Sequence, residues 1–194
     1  MPSVASIARP PAGSAARLAL AAVATLALTA PAPARAAAEA AGDTSQCTST
    51  GGVATRLRPW AGTNNGPAQW VAYGGEVQAC VYTAADGSQI TLWASTLASR
   101  APTMAALAYY AKVPLQGGGS GNPSVYYCQQ LMGAWQIGNG ADGGGWAAGR
   151  GERVYDMCIF ADGSAIDAWG LTYHSADIVR GIDLSTVLRF PNPY

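Results

Sequence analysis

Histidine is almost absent from this 194-residue chain, which carries only His174, and charged residues make up just 11% of it. No C-x-x-C pair occurs among its four cysteines, and with one histidine the usual cysteine and histidine zinc sets cannot be assembled. No metal or cofactor is therefore expected. Lysine and arginine form no cluster, which disfavours nucleic-acid binding, since that relies on several phosphate-neutralising cations. The apolar run at 18–30 is short and soon followed by Pro31 and Pro33, whereas a transmembrane helix needs about 20 apolar residues. No second run of this kind appears, and no cysteine follows the first where a lipid anchor would need one.

What is present begins with a leader. Arg9 and Arg17 precede the apolar core and Ala34, Arg35 and Ala36 follow it, giving residues 1–36 the pattern of a secretory signal peptide. Its removal would take three arginines and leave eight basic against eleven acidic side chains. The expected product is a weakly acidic exported protein, periplasmic or secreted, without a stable transmembrane span. With 24 glycines the remainder reads as loop-rich, in small units that bury too little apolar surface to be secure alone. Four cysteines in an exported chain favour two disulfides, for which three connectivities exist.

Residues 157–169, M-C-I-F-A-D-G-S-A-I-D-A-W, read as two short strands about a turn, and residues 79–93 are a looser copy. At a constant offset of 76, Trp70 falls on Trp146, Glu76 on Glu152, Asp86 on Asp162, Ile90 on Ile166 and Trp93 on Trp169, which argues for an internal duplication. An Asp-Gly pair between apolar runs predicts two-residue type I′ turns at Asp86 and Gly87 and at Asp162 and Gly163. In that register Ile159 faces Ile166, Cys158 faces Asp167 and Cys80 faces Trp93. Cys80 stands two residues off the constant offset, either one pleat along its strand or flanked by compensating two-residue indels. Pairing within the repeats joins Cys47 with Cys80 and Cys128 with Cys158.

The predicted fold is α+β: two tandem small disulfide-tied units, each an antiparallel sheet or hairpin with a short helix. Residues 37–46 are a disordered lead-in, 47–115 the first unit, 116–121 a glycine-rich linker and 122–194 the second unit with its C-terminal tail. Strands are predicted at 53–57, 70–73, 77–82 and 90–94, then at 134–137, 146–148 and 154–160. Helices are predicted at 102–112, from an Asn122 cap and Pro123 to just before Gly133, and over part of 178–188.

The second unit carries N-P-S-x-x-x-C from Asn122, a glycine five residues on at Gly133, and C-x-F-x-D-G-S-x-I-x-x-W from Cys158. This resembles a small exported bacterial domain labelled hemolysin, domain of unknown function 333. The resemblance spans 122 to about 175 closely and 47 to about 99 more loosely, because the first unit lacks the Asn-Pro start. The family commonly has further cysteines where Ile90 and Ile166 stand and shortly after the tryptophan, and both are missing here. The resemblance implies fold and export, and its label implies a membrane-active factor.

Candidate chemistry is sparse. His174 has Ser175 beside it and Asp177 nearby, but neighbours in sequence rarely reach triad geometry. Glu76 with Glu152 and Asp86 with Asp162 recur as carboxylates, yet a glycosidase pair needs a cleft with carboxyls roughly 5–9 Å apart. Trp70, Trp93, Trp146 and Trp169 form the candidate ligand surface, since indole faces suit sugars and peptides and a repeat could present two sites. The expected function is therefore non-enzymatic binding of an envelope component or another protein. A membrane-active hemolysin-like factor and an envelope hydrolase are the alternatives.

Overall fold

The computed structural model describes residues 44–117, 121–135 and 141–194. The expected leader, most of the lead-in and the middle of the glycine-rich linker lie outside the described residues. The elements are α1 (Ser45–Ser49), β1 (Val53–Ala61), β2 (Val71–Ala72), β3 (Val77–Thr83), β4 (Gln89–Trp93), α2 (Ala94–Ala98) and α3 (Met104–Ala111). They continue with α4 (Pro123–Gln130), β5 (Ala134–Trp135), β6 (Gly144–Ala147), β7 (Met157–Ile159), β8 (Ala165–Asp167) and α5 (Ala168–His174). The protein is thus α+β, and its pairing is antiparallel throughout.

One sheet runs through both segments in the order β2-β1-β3-β4-β8-β7-β5, with β6 also paired to β1. The two hairpins meet where Leu92 of β4 faces Ile166 of β8. The second crossing is longer-range: β6 lies against the far end of β1, with Pro59 opposite Trp146. Trp146 and Tyr155 also exchange backbone hydrogen bonds of 3.0 and 2.7 Å, which fasten β6 to the chain entering β7.

Two disulfides join Cys47 to Cys80 and Cys128 to Cys158, the pairs expected from the sequence. They close loops of 33 and 30 residues, each contributing roughly 3–4 kcal/mol on a loop-entropy estimate. Their surroundings match closely. Each first cysteine sits on a short helix, and five residues later a glycine returns its N–H to that cysteine's carbonyl: Gly52 to Cys47 at 2.8 Å, Gly133 to Cys128 at 2.9 Å. A Cβ on either glycine would stand 2.3 Å from a disulfide sulfur, so only glycine fits against the bridge. Each second cysteine then pairs with the strand that follows its glycine, Cys80 with Ala54 and Cys158 with Trp135.

The hairpin turns differ from the sequence expectation. Asp86 and Asp162 are not at positive φ; only Gly87 and Gly163 are, at 80° and 79°. Each aspartate instead accepts the N–H of the serine two residues on, Ser88 at 2.9 Å and Ser164 at 3.0 Å. Gly87 and Gly163 donate back to Ala84 and Phe160 at 2.9 Å, giving three-residue loops of a type I turn followed by a left-handed glycine. The extra residue moves the register by one. Cys158 faces Ile166, Ile159 faces Ala165, Cys80 faces Leu92, and Trp93 faces Ala79. Because a one-place slip exchanges the faces, Ile90, Leu92 and Ile166 join the cysteines rather than opposing them. β3 and β4 run seven and five residues against three each in β7 and β8, and Cys80, opposite Leu92, stands one pleat farther from its turn than Cys158, opposite Ile166. Trp93 accordingly ends a strand, whereas Trp169 lies in the first turn of α5.

The core occupies both faces of the sheet. One face carries the two disulfides with Tyr82, Ile90, Leu92, Phe160 and Ile166, covered by Leu97, Tyr109, Tyr127, Leu171 and Leu184 from the helices and the tail. Fully burying one aliphatic or aromatic side chain of this kind is worth about 1.5–3 kcal/mol. The opposite face packs Leu57, Ala79, Trp93, Trp146, Met157 and Ala165. A third cluster holds Trp60, Trp70 and Ala147 around the far end of β1.

Several boundaries move for local reasons. Part of the expected lead-in is helical, because α1 carries Cys47 into the core. In α3 the cap is Thr103, which accepts the N–H of Ala106 at 3.2 Å, so Pro102 lies outside the helix. Residues 168–174, expected as strand end and loop, are helical because Asp167 caps them. Most of 178–188 is not helical; only Leu184–Thr186 forms a 3-10 turn. Gly181 there has φ 65°, and its Cα is pressed so closely to the first hairpin that a Cβ would meet Tyr82 O at 2.5 Å and Ile90 N at 2.7 Å.

Candidate functional site

Asp167 ends β8 and caps α5, accepting the N–H groups of Trp169 at 2.8 Å and Gly170 at 3.1 Å. It is only 8% exposed, and burial pushes its carboxyl up to about 6 against the opposing pull of those donors and of Arg180. Asp156, just before β7, is raised by burial, against the opposing pull of the nearby Trp169 indole and Asn122 side chain. The Asp156 carbonyl accepts from Ala168 N at 2.7 Å, which fixes the entry of α5 beside it.

Around these acids stand aromatic rings and guanidinium groups. Trp169 and Tyr173, one helical turn apart on α5, stack with centroids 5.8 Å apart and planes 30° from parallel. Arg180 lies 4.9 Å from the Tyr173 ring, and Arg153 lies 5.6 Å from the Tyr155 ring. Together they enclose a cleft of about 260 Å³. Its walls thus bring two carboxylates, two guanidinium groups and three aromatic side chains together. Arg180 Nε is buried there without a hydrogen-bond partner among the described residues. A polar atom left in that state costs free energy until a ligand or water satisfies it.

Of the four tryptophans expected on a ligand surface, only Trp169 lines this cleft. Trp70, Trp93 and Trp146 are 5%, 4% and 8% exposed. Trp93 and Trp146 meet edge to face at 4.8 Å under the sheet, and Trp70 packs on Trp60 at 5.9 Å while its indole donates to Asn65 O. Their large apolar rings are what fills the second and third clusters, which correct that expectation for three of the four.

His174, Ser175 and Asp177 diverge. The imidazole is buried and stacked on Tyr109 at 3.7 Å with planes 8° apart, and burial, aided by nearby Lys112, lowers it to about 4. Ser175 Oγ donates to Thr172 O at 2.7 Å, and Asp177 pairs with Lys112 at 2.8 Å on the surface. The recurring carboxylates have separate duties. Glu76 pairs with Arg58 at 3.1 Å, while Glu152 is exposed by Gly149. Asp86 and Asp162 hold the turns, and Asp162 Oδ2 also accepts from Met104 N at 2.7 Å, with Ser164 Oγ accepting from Ala105 N at 3.0 Å. The second hairpin therefore completes the first turn of α3.

Among the described residues no group of three or more histidine, cysteine, aspartate or glutamate side chains could hold a metal ion, and no helix is long and apolar enough to cross a membrane. Comparison with protein-family models, with curated proteins and with solved structures finds no match to this chain. Sequence reasoning missed Asp156, Asp167, Tyr173 and Arg180. One signal was present: an aspartate immediately before A-W-G-L is a helix cap pattern, which would have placed Trp169 and Tyr173 on one helical face.

Proposed function

We propose that this chain is an exported, non-enzymatic binding protein of two repeat modules, akin to the hemolysin-labelled domain of unknown function 333. Its contact with an envelope component or another protein is the cleft of Asp156, Asp167, Trp169, Tyr173 and Arg180. The observation that carries the reading is this cleft, where a half-buried indole, paired carboxylates and an unsatisfied guanidinium nitrogen converge. The leader pattern and two disulfides fit an oxidising compartment. The matched surroundings of the two bridges support the duplication. A hydrolase using Asp156 and Asp167 is the second reading, favoured by the raised carboxyl of Asp167. One oxygen of that acid is already committed to capping α5, which argues for binding instead.

The test is affinity capture from envelope and medium fractions with the oxidised protein, beside Asp156→Asn and Arg180→Gln variants checked for folding. A component retained by the parent and lost by both folded variants supports the reading. Hydrolysis of that component, abolished by Asp156→Asn, would replace it with the hydrolase. Retention unchanged in both variants would remove the cleft from the function.

A further inference from the structure

The cleft has a neighbour. A second cavity of about 320 Å³ lies between α4 and β5, lined by Asn122, Val125, Tyr126, Gln129 and Trp135. The four residues from the helix side fall at positions i, i+3, i+4 and i+7, which is one face of α4. Trp135 stands across from them on β5. Asn122 joins the two spaces, because it lines this cavity while its side chain lies close enough to Asp156 of the first to influence its carboxyl. No charged side chain lines the second cavity, and the first balances Asp156 and Asp167 against Arg153 and Arg180.

We infer that the two cavities are adjacent subsites for one linear, uncharged oligosaccharide, with one pyranose ring beside Trp169, the next against Tyr126 and Trp135, and the Asp156–Asn122 pair between them. This rests on the cleft being the binding site. Each space lies near or below the lower end of ordinary small-molecule pockets, about 300 Å³, and suits a single ring better than a folded partner. Indole and phenol rings offer flat amphipathic faces to the C–H face of a sugar. Carboxylates, amides and guanidinium groups around the rim are the donors and acceptors that hydroxyls require. β5, the terminal strand beside the second cavity, is only two residues long and offers little to a peptide docking as an added strand, and an apolar helix would call for a long hydrophobic groove. At the offset of 76 the first half holds Thr91 and Cys80 where the second holds Asp167 and Asp156, so among the described residues the pair of acids is not repeated and one glycan per chain is expected.

The experiment is calorimetric titration of the full oxidised protein with N-acetylglucosamine, its β-1,4-linked dimer and tetramer, and the corresponding glucose series, with an unstructured peptide library as comparison. The dimer of at least one series should bind roughly tenfold or more tighter than its monomer, at one per chain. Trp135→Ala and Tyr126→Ala should each erode that gain. Asp156→Asn and Trp169→Phe should weaken monomer and dimer alike. Equal affinity for monomer and dimer, or a gain untouched by both Trp135→Ala and Tyr126→Ala, overturns the second subsite while the cleft stands. Binding indifferent to Asp156→Asn and Trp169→Phe overturns the cleft and the inference together. A panel in which no saccharide binds, or only peptides do, overturns the ligand class.

Discussion

His174 and Asp167 lie at opposite ends of α5 and are held away from their ordinary protonation behaviour in opposite directions, so their effects on stability should nearly cancel in mild acid. The imidazole is lowered from 6.5 to about 4. As pH falls through 6.5 the unfolded chain takes up a proton there and the folded chain does not, which favours unfolding. The Asp167 carboxyl is raised from 3.8 to about 6. As pH falls through 6 the folded chain takes up that proton first, which favours folding. From pH 7.5 to 4.5 the histidine costs about 2.5 kcal/mol and the aspartate returns about 2 kcal/mol, at about 1.4 kcal/mol per pH unit of displacement. Asp156, also raised, adds to the second side, while Asp162, Asp177 and Asp183 are lowered and act below their ordinary 3.8. Burial sets both values first, and the charges that modify them are Lys112, Asp177 and Asp183 near the imidazole and Arg180 and Asp156 near Asp167. His174→Phe keeps a ring on Tyr109 without a proton site, and Asp167→Asn keeps a cap acceptor. Urea unfolding at pH 7.5, 6.5, 5.5 and 4.5 with disulfides intact should show a nearly level parent. On acidification His174→Phe should gain about 2 kcal/mol and Asp167→Asn should lose about 2.5 kcal/mol. If both variants track the parent across this range, the imidazole is not buried neutral and the reasoning fails.

Gly133→Ala should destabilise by about 2–4 kcal/mol or prevent the second bridge from forming, because its Cβ would stand 2.3 Å from Cys158 Sγ and 2.8 Å from Cys128 Sγ. In a Cys128→Ala/Cys158→Ala background the same substitution should cost well under half as much, and an unchanged penalty in the melting curves would show that the bridge is not the obstacle. Gly181→Ala should lower stability by at least about 2 kcal/mol, since the clash is with backbone at positive φ and no side chain can yield. A neutral result in thermal unfolding would mean that the tail does not lean on the first hairpin.

Some of this was legible in the residues and some was not. The disulfide partners followed from reading the two matching segments as each closing its own loop, and strand positions followed from alternating apolar runs. The D-G-S turns could be located but not typed. Asp-Gly serves a two-residue loop as readily as a three-residue one, and the serine that captures the aspartate side chain decides between them. That single residue of register exchanged the faces assigned to Ile90 and Ile166. The pairing of β6 with β1 left no local trace, because it joins strands from opposite halves of the chain. The cleft was hidden for another reason: its walls all lie within residues 153–180, but they come from the approach to β7, the end of β8, α5 and Arg180, at no regular spacing that would place them together.

The route of the sheet also orders its assembly. Cys47 and Cys80 are close in the chain and can bridge as soon as the first half is available, but β4 has no neighbour on its outer side until β8 arrives. The far end of β1 likewise waits for β6. A chain emerging from its N-terminus therefore passes through a stage that is already cross-linked yet presents an open strand edge. The same edge on a second molecule is an equally good partner in hydrogen bonding at that moment. Exchange of whole C-terminal halves between two chains is thus the misassembly this topology invites, and it would rise with the concentration of half-finished protein rather than with any loss of native stability.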